Sequence, residues 1–179
     1  TVFKANEAGH FNGKIVVVGS TGSGRTQQMN DQQGLFTQRV EGFHQGAEVG
    51  EFQLNASISR AISSRDAWEE GLECARNPQL DILISNTTEA GIQYVKEDMF
   101  ARPPQSFPAK LAAFLYERFQ HHPEAPCVIL PTELIVDNGK VLKELVLRQI
   151  NDRKLEQAFV DWLNEANYFC NTLVDRIVT

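Results

Sequence analysis

The chain has 179 residues, of which 42% are hydrophobic and 22% charged, as is typical of a single globular domain with a proper core. The formal net charge is −6 and no basic tract is present, so nucleic acid and anionic membrane surfaces are not expected partners. No apolar run approaches the roughly 20 residues of a membrane span, and the first residues lack a signal-peptide pattern.

The cysteines and histidines give no sign of a metal centre or a disulfide framework. Cys74, Cys127 and Cys170 are widely spaced and include no C-x-x-C pair. Three buried free thiols in a reducing cytosol fit this pattern better than a disulfide or a zinc site. The four histidines also lack the spacing of metal ligands, so no metal is expected.

The first third of the chain predicts a strand, a glycine-rich loop and a hairpin. Residues 1–13 have weak helical character, and the β-branched run 14–18 predicts a buried strand that opens into the glycine cluster 19–26. Residues 34–42 and 49–59 alternate apolar and polar side chains, which predicts a β-hairpin with one buried face. The apolar residues expected to share that face are Phe52, Leu54, Ala56 and Ile58.

The remaining chain predicts four helices. Ser63 or Ser64 is expected to cap the first, Ser106 caps the second, and Asn138-Gly139 precedes the third. Each helix has an apolar stripe at helical spacing, which is expected to face the core. In chain order these stripes are Trp68, Leu72 and Ala75; Leu111, Phe114, Leu115 and Phe119; Val141, Leu142, Leu145 and Val146; and Phe159, Trp162, Leu163 and Ala166.

Strands alternate with these helices. The short apolar run 80–84 is typical of a strand buried on both faces of a parallel sheet, so Ile82 to Ile84 are expected to be almost fully buried between two parallel strands. Residues 127–130 and 173–178 predict two further strands. The order indicates an α/β fold with a doubly wound, mostly parallel sheet and a β-hairpin excursion. Alternating exposure along residues 82–84 would overturn the doubly wound assignment.

Small polar residues follow the central strand at Ser85 to Glu89. In open α/β sheets, ligands bind outside the carboxyl ends of the strands, where backbone N–H groups and short side chains are free. An Asn, two Thr and a Glu suit the oxygens of sugars and phosphates. An ordinary polar exit from a strand is the alternative, and the residues alone leave it open.

Residues 85–92, Ser-Asn-Thr-Thr-Glu-Ala-Gly-Ile, resemble a signature of the tagaturonate reductases (altronate oxidoreductases) within the long-chain mannitol dehydrogenase family. Three further blocks match in the family's order and at similar spacing. They are Ser106-Phe-Pro-Ala-Lys-Leu111, Glu133-Leu-Ile135 with Asn138-Gly139, and Asn171-Thr-Leu-Val-Asp-Arg-Ile-Val178. The resemblance covers nearly all of the chain and implies a Rossmann-like domain.

The resemblance implies NAD as the coenzyme and hydride transfer that reduces a keto-hexonate, tagaturonate to altronate. The cysteine pattern predicts that this takes place in the cytoplasm. It places Glu133 beside the reacting centre and Asp175 on the substrate side, although backbone capping by Glu133 and ion pairing by Asp175 remain open. The residues expected to bind the coenzyme are Ser20, Thr21, Asn86, Thr87, Thr88, Glu89 and Ala90.

Members of the family are longer at both ends. We therefore expect residues 1–179 to be a partial NAD(P)-binding domain whose first strand is missing. The helical C-terminal domain, which in the family provides a catalytic Lys, is expected to lie beyond Thr179, so the 179 residues alone are expected to be inactive.

Two features around Gly19 leave alternatives open. Gly19 with Gly24-Arg25-Thr26 nearly forms a phosphate-binding P-loop, but Arg25 stands where that loop needs Lys, and residues 27–34 show no apolar helical stripe. The same strand end lacks the acidic residue that binds the adenosine ribose in NAD enzymes, which leaves NAD and NADP both open. A noncatalytic nucleotide-binding or interaction module is a further alternative.

Overall fold

The computed structural model of the chain describes residues 2–20 and 24–173. These residues form two units, the first ending at Trp68 and the second beginning at Glu69. Thr21 and Asp175, two of the predicted site residues, fall outside the described residues. Among the described helices, none combines the length and the apolar character that a membrane crossing needs.

The first unit contains a parallel strand pair, an antiparallel hairpin and two helices. Its elements are α1 (Val2–Glu7), β1 (Ile15–Gly19), α2 (Gly24–Asp31), β2 (Phe36–His44), β3 (Ala47–Asn55) and β4 (Ile58–Ser63). β1 pairs in parallel with β4, with Gly19 opposite Ser63. β2 and β3 form the hairpin, and Gln45 and Gly46 both have positive φ at its tip, as a type I′ turn requires.

Helix α2 corrects one expectation, because no helix was predicted after the glycine cluster. The helix has no apolar stripe, and it is held by other contacts. The Asn30 amide donates to the Ala61 carbonyl and accepts from the Ala61 N–H, both at 2.8 Å, while Thr26 is buried. A surface bond from Gln27 to Asp31 adds to these contacts. The helix that a P-loop needs after its glycine cluster is therefore present, but Arg25 still occupies the position where that loop needs Lys.

The hairpin is where the sequence predicts it, but the expectation of one buried face is wrong. Phe52 and Leu54 share a face of β3, and their exposed fractions are 73% and 58%. Ala56 lies beyond the end of β3, and Ile58 begins β4. The alternating pattern predicted a strand correctly. Burial of one face also needs an element packed over it, and among the described residues the sheet of β2 and β3 gains no third strand.

The second unit is built on a three-stranded parallel sheet in the order β5-β6-β7. Because α4 connects β5 to β6, and α5 and α6 connect β6 to β7, the predicted parallel α/β architecture is confirmed. The elements are α3 (Trp68–Ala75, which starts at the last residue of the first unit), β5 (Ile82–Ser85), a 3₁₀ turn (Glu89–Gly91), α4 (Phe107–His121), β6 (Val128–Pro131), α5 (Asn138–Arg153), α6 (Gln157–Glu165) and β7 (Tyr168–Phe169).

The helix predictions hold well for α4, α5 and α6. Ser106 is the N-cap of α4, and its hydroxyl accepts a 3.3 Å hydrogen bond from the backbone N–H of Ala109. The predicted cap of α3 is wrong, because Ser63 ends β4 and its hydroxyl donates to Asp66 at 2.6 Å, five residues before the helix starts. The last described strand also lies earlier than predicted. Leu173 belongs to no strand, and residues 174–178 are outside the described residues.

The expected burial of β5 is wrong as well. Ile82 and Ile84 are 43% and 69% exposed, whereas Leu83 is half-buried and Ser85 is buried. Because side chains alternate between the two faces of a strand, Ile82 and Ile84 share the exposed face of β5, which lies at the edge of the described sheet and pairs there with β6. The fold assignment therefore depends on the parallel pairing and its helical connections, and burial of β5 contributes nothing to it.

The most deeply buried charge in the second unit belongs to Arg118 of α4, which has no exposed surface. Its guanidinium donates five hydrogen bonds, all to backbone carbonyl groups. The acceptors and distances are Ala125 (2.6 Å), Asn77 (2.7 Å), Leu80 (2.7 Å), Ala75 (3.2 Å) and Pro78 (3.4 Å). One side chain thus uses all five of its N–H groups to hold the end of α3 and the segments that enter β5 and β6.

The three cysteines form no disulfide; Cys74 and Cys127 are buried and Cys170 is half-buried. Burial raises the pKa of the Cys127 thiol above its ordinary value, and the nearby Arg118 guanidinium offsets only part of that effect. Since the thiolate is the reactive form, we expect iodoacetamide at pH 8 to modify Cys170 well before Cys127 in the folded protein. Mass spectrometry of timed digests measures this order, which should disappear in guanidinium chloride. Early labelling of Cys127 in the folded state would contradict it.

Candidate functional site

The carboxyl ends of β5 and β6 lie side by side in the second unit. Ser85 ends β5 and pairs with Pro131 at the end of β6. The backbone N–H and the hydroxyl of Thr132 both donate to the Ser85 carbonyl, at 2.9 and 2.6 Å. The two loops that follow these strands therefore start from one fixed edge of the sheet, which is the edge where ligands bind in open α/β folds.

The side chain of Glu133 joins these two loops. Its carboxyl oxygens accept from the Ser85 hydroxyl at 3.0 Å, and from the backbone N–H and hydroxyl of Thr87 at 2.8 and 2.9 Å. The residue is only 3% exposed. These contacts support the capping role that the sequence left open, while an acid or base role for Glu133 stays a prediction.

Asn138, the first residue of α5, makes a second connection that the sequence did not reveal. It is 1% exposed, and its amide nitrogen lies within 3.2 Å of four acceptors, among which its two hydrogens are shared. Its carbonyl oxygen accepts from the backbone N–H groups of Gly139 and Thr172, both at 2.9 Å. The four acceptors are the carbonyl oxygens of Pro131, Glu133 and Thr172 and the Thr172 hydroxyl.

The start of α5 is packed tightly against the segment that follows β7. A Cβ on Gly139 would lie 2.5 Å from the carbonyl oxygen of Cys170, so a larger residue cannot fit without movement of the backbone. Asn171 acts as the cap: it accepts from the Lys140 N–H at 3.1 Å and donates to the Asp137 carboxyl at 3.2 Å. Asn138-Gly139 is therefore a packed junction, which goes beyond the turn that its sequence suggests.

The loop after β5 divides the predicted coenzyme residues into two sets. Thr87 is turned inward to Glu133, whereas Asn86, Thr88 and Ala90 are exposed. Within residues 2–20 and 24–173, the side chains of Asn86 and Thr88 have no hydrogen-bond partner. Thr88 also has φ +70°, which is uncommon for a β-branched residue and is a kind of strain that concentrates at binding sites. Glu89 begins the 3₁₀ turn that follows.

A cleft of about 500 Å³ lies beside this edge of the sheet, between the β6–α5 loop and the segment after β7. It is lined by residues 133–137 and 171–173. Leu134, Val136 and Leu173 are 54%, 87% and 88% exposed, so the cleft combines an apolar surface with the polar groups of Glu133 and Asn171. Within the part of the chain that the structure describes, no three His, Cys, Asp or Glu side chains are grouped so that they could hold a metal ion.

The remaining predicted site residues do not belong to this cluster. Ser20 lies in the first unit, where it is exposed directly after β1. Thr21 and Asp175 lie outside the described residues, so their predicted roles stay predictions. The structure thus brings Glu133 together with Thr87 and Ser85, which the sequence placed at the polar end of the central strand. It adds Asn138, which the sequence indicated only as a turn and helix start.

Parallel strands connected through helices, with polar loops at their carboxyl ends, define a Rossmann-type nucleotide-binding class of domain. A comparison with family models gives the particular family: residues 4–179 match the mannitol dehydrogenase Rossmann domain. The chain belongs to this family.

Two sets of relatives agree with the family match. The chain is 44% identical to the altronate oxidoreductase of Bacillus subtilis (strain 168) and 45% identical to that of Klebsiella pneumoniae subsp. pneumoniae, each over 97% of the chain. It spans only 37% of the length of these two proteins. Among solved structures, it matches the Pseudomonas fluorescens mannitol 2-dehydrogenase ternary complex with NAD and D-mannitol over 92% of the chain and 35% of that protein, with a TM-score of 0.73 and 20% identity.

A substrate-free D-sorbitol dehydrogenase structure is also similar, with a TM-score of 0.68 and 18% identity over 87% of the chain and 35% of that protein. At this identity the two structures support the fold. The relatives at 44–45% identity bear out the resemblance that the four sequence blocks suggested.

Proposed function

We propose that this chain is the coenzyme-binding part of an NAD-dependent oxidoreductase that reduces a keto-hexonate, tagaturonate, to altronate. The observation that carries this proposal is the 44% identity to an altronate oxidoreductase over 97% of the chain. The geometry supports it, since exposed polar side chains follow a parallel strand at the edge where dinucleotides bind. The family match and these relatives do not favour the triphosphate-binding alternative.

The residues present fit a nicotinamide dinucleotide. NADH would supply the hydride when bound. Asn86 and Thr88 keep free polar groups at the end of β5, and we assign them, with Glu89 and Ala90, to the coenzyme. Thr87 fixes the course of this loop through Glu133, and Ser20 and Thr21 are assigned to the adenosine half.

The substrate side is proposed to involve the cleft beside Glu133 and Asp175. Asp175 would accept hydrogen bonds from sugar hydroxyls, and Glu133 would hold the edge of the site in place. The partner of the domain is therefore a small sugar acid. The catalytic Lys is proposed to come from a helical domain outside these residues. This is consistent with the greater length of the altronate oxidoreductase of Bacillus subtilis, of which the chain covers 37%. Cysteines that form no disulfide support a reducing, cytoplasmic location.

The test is NADH oxidation with tagaturonate, using the full-length protein that carries this sequence and residues 1–179 side by side. We expect turnover by the full-length protein and none by the 179 residues. Mannitol with NAD serves as the control, because the family also contains mannitol dehydrogenases. Rapid mannitol oxidation without tagaturonate reduction would contradict the substrate, and turnover by the 179 residues would contradict the proposed location of the catalytic Lys.

A further inference from the structure

We propose that one face of the β2–β3 hairpin is the surface through which two copies of this chain bind each other in a two-fold symmetric dimer. In an antiparallel strand pair, residues directly opposite each other point to the same side of the sheet. Four such pairs form this surface, which we call the hairpin face. In order towards the turn they are Thr37–Leu54, Arg39–Phe52 (the basic row), Glu41–Gly50 (the middle row) and Phe43–Glu48 (the acidic row). The inference concerns assembly and does not depend on the proposed reaction.

The hairpin face exposes a large apolar surface. Phe43, Phe52 and Leu54 on it are 82%, 73% and 58% exposed, whereas Val40 and Val49 on the opposite face are half-buried. A two-stranded hairpin is marginally stable at best in water, and in the part of the chain that the structure describes no third strand joins this one. Exposed apolar side chains that lie together mark interaction surfaces. Burial of the hairpin face against a partner therefore stabilises the hairpin.

The arrangement of the charged rows indicates that the partner is a second copy. The basic and acidic rows lie on either side of the middle row, at equal spacing along the strands. A two-fold axis that passes between two stacked hairpins, over the middle row and perpendicular to the strands, places the acidic row of each copy over the basic row of the other. Each of these rows has one aromatic ring and one charge, and the two charges have opposite signs. The face is therefore complementary to itself, as a two-fold interface requires.

The charged side chains are suited to this contact. Arg39 is held in place by an ion pair with Glu41, and its guanidinium lies 5.6 Å from the centre of the Phe52 ring. Glu48 forms no ion pair within residues 2–20 and 24–173. In the two-fold arrangement, the guanidinium of Arg39 comes within reach of the partner's Glu48, and the same contact forms again on the other side of the axis. An unrelated acidic or basic protein would match only one of the two signs.

Gly50 gives a second, independent indication. Glycine weakens the interior of a strand and often marks a place where another backbone approaches closely. Gly50 lies in the middle of β3 without a positive φ, and a Cβ placed on it would have none of the described atoms within 4 Å. Neither the backbone conformation nor the packing of the described residues therefore requires glycine here. The proposed axis passes over Gly50, where the missing side chain lets the two hairpins approach.

Sedimentation equilibrium of the full-length protein measures the association. The eight residues of the hairpin face are fewer than the roughly 20–30 per side of a standard interface, so we expect a reversible dimer with Kd of about 1–100 µM. R39E places like charges opposite each other and should raise Kd at least about tenfold. R39E/E48R restores opposite charges between the copies and should recover most of the affinity. R76E is the matched control, since Arg76 is an ion-paired surface Arg outside the hairpin, and it should leave Kd unchanged.

The variant G50V tests the glycine separately. Valine favours a strand, so G50V should keep or raise the melting temperature of the monomer at concentrations well below Kd. Its branched side chain should hold the two copies apart and raise Kd about tenfold or more.

A full-length protein that stays monomeric up to about 100 µM would overturn the inference. In that case, a lower melting temperature of F52D would show that another part of the same chain covers the hairpin face. A dimer that R39E and G50V leave intact would also overturn it, as would a double variant R39E/E48R that associates as weakly as R39E alone.

Discussion

Replacing Arg118 with Met should lower the free energy of unfolding by about 3–5 kcal/mol, one of the two largest effects expected in this chain. Methionine fills part of the space but donates no hydrogen bond. The carbonyl groups of Ala75 and Ala125 would then lose the Arg118 donor, and an unsatisfied buried acceptor is costly. The carbonyl of Asn77 would keep only the Leu80 N–H at 3.1 Å, and that of Leu80 only the weak Cys127 thiol donor at 3.7 Å. Thermal unfolding should show a melting temperature lower by roughly 10 °C.

Two further variants separate this effect from a simple loss of charge. Arg76 is a surface residue whose side chain pairs with Glu117 at 2.6 Å, so R76M should cost less than about 1 kcal/mol. R118K keeps the charge but offers three donors on one nitrogen, and it should recover only part of the loss. If R118M were as stable as R76M, the carbonyl cluster would not be what holds the entries to β5 and β6.

Arg118 also shows what a sequence pattern leaves out. The apolar stripe of α4 was predicted from its spacing, and Leu111 and Leu115 are indeed buried. Arg118 lies three residues after Leu115, on the same side of the helix, although a charged side chain is normally exposed to solvent. Its burial depends on carbonyl groups about 40 residues away in the chain, which no local periodicity encodes.

Two apolar faces that the sequence predicted to be buried are exposed in the structure, namely the face of β3 with Phe52 and Leu54 and the face of β5 with Ile82 and Ile84. The alternation in β3 identified a strand correctly, because side chains alternate along any strand. The short apolar run of β5 also identified a strand correctly. Which faces are covered depends on the elements packed against them, and these contacts are not encoded in the pattern of the strand itself. The opposite error occurred at α2, where the sequence has no apolar stripe and no helix was predicted. The helix is held by contacts of Asn30 and Thr26, which an apolar pattern does not show.

The position of the candidate site could be predicted from the sequence more readily than the contacts between its residues. The sequence located the polar ends of β5 and β6, and Glu133 among them. It could not show that Glu133 contacts Ser85 and Thr87, which lie 48 and 46 residues away. Asn138 was read as part of a turn because Asn-Gly is a common turn pair, whereas its burial arises from the segment that returns after β7.

Glu133 provides the second large effect, and the two variants E133A and E133Q distinguish positioning from acid–base chemistry. E133A leaves the donors of Ser85 and Thr87 without an acceptor, so the loop after β5 should move away from its position. A displacement of about 1 Å costs roughly 100-fold in rate. We expect kcat/KM of the full-length protein to fall by that factor, mainly through a higher KM for the coenzyme.

E133Q should behave differently, because the amide oxygen can still accept from the Thr87 N–H and hydroxyl while the amide nitrogen donates to the Ser85 hydroxyl, which can also accept. Losing the charge weakens each bond by about 1 kcal/mol, so activity should stay within about tenfold of the original and the pH–rate profile should keep its shape.

S85A is the matched control, since it removes one of the three donors and should have a smaller effect than E133A. A general acid or base contributes roughly 10²- to 10⁴-fold, so a folded E133Q protein with a loss of that size and a missing limb in its pH profile would show that Glu133 transfers a proton. The three hydrogen bonds that occupy both carboxyl oxygens favour the first outcome, in which Glu133 acts on the coenzyme through the loop that it holds.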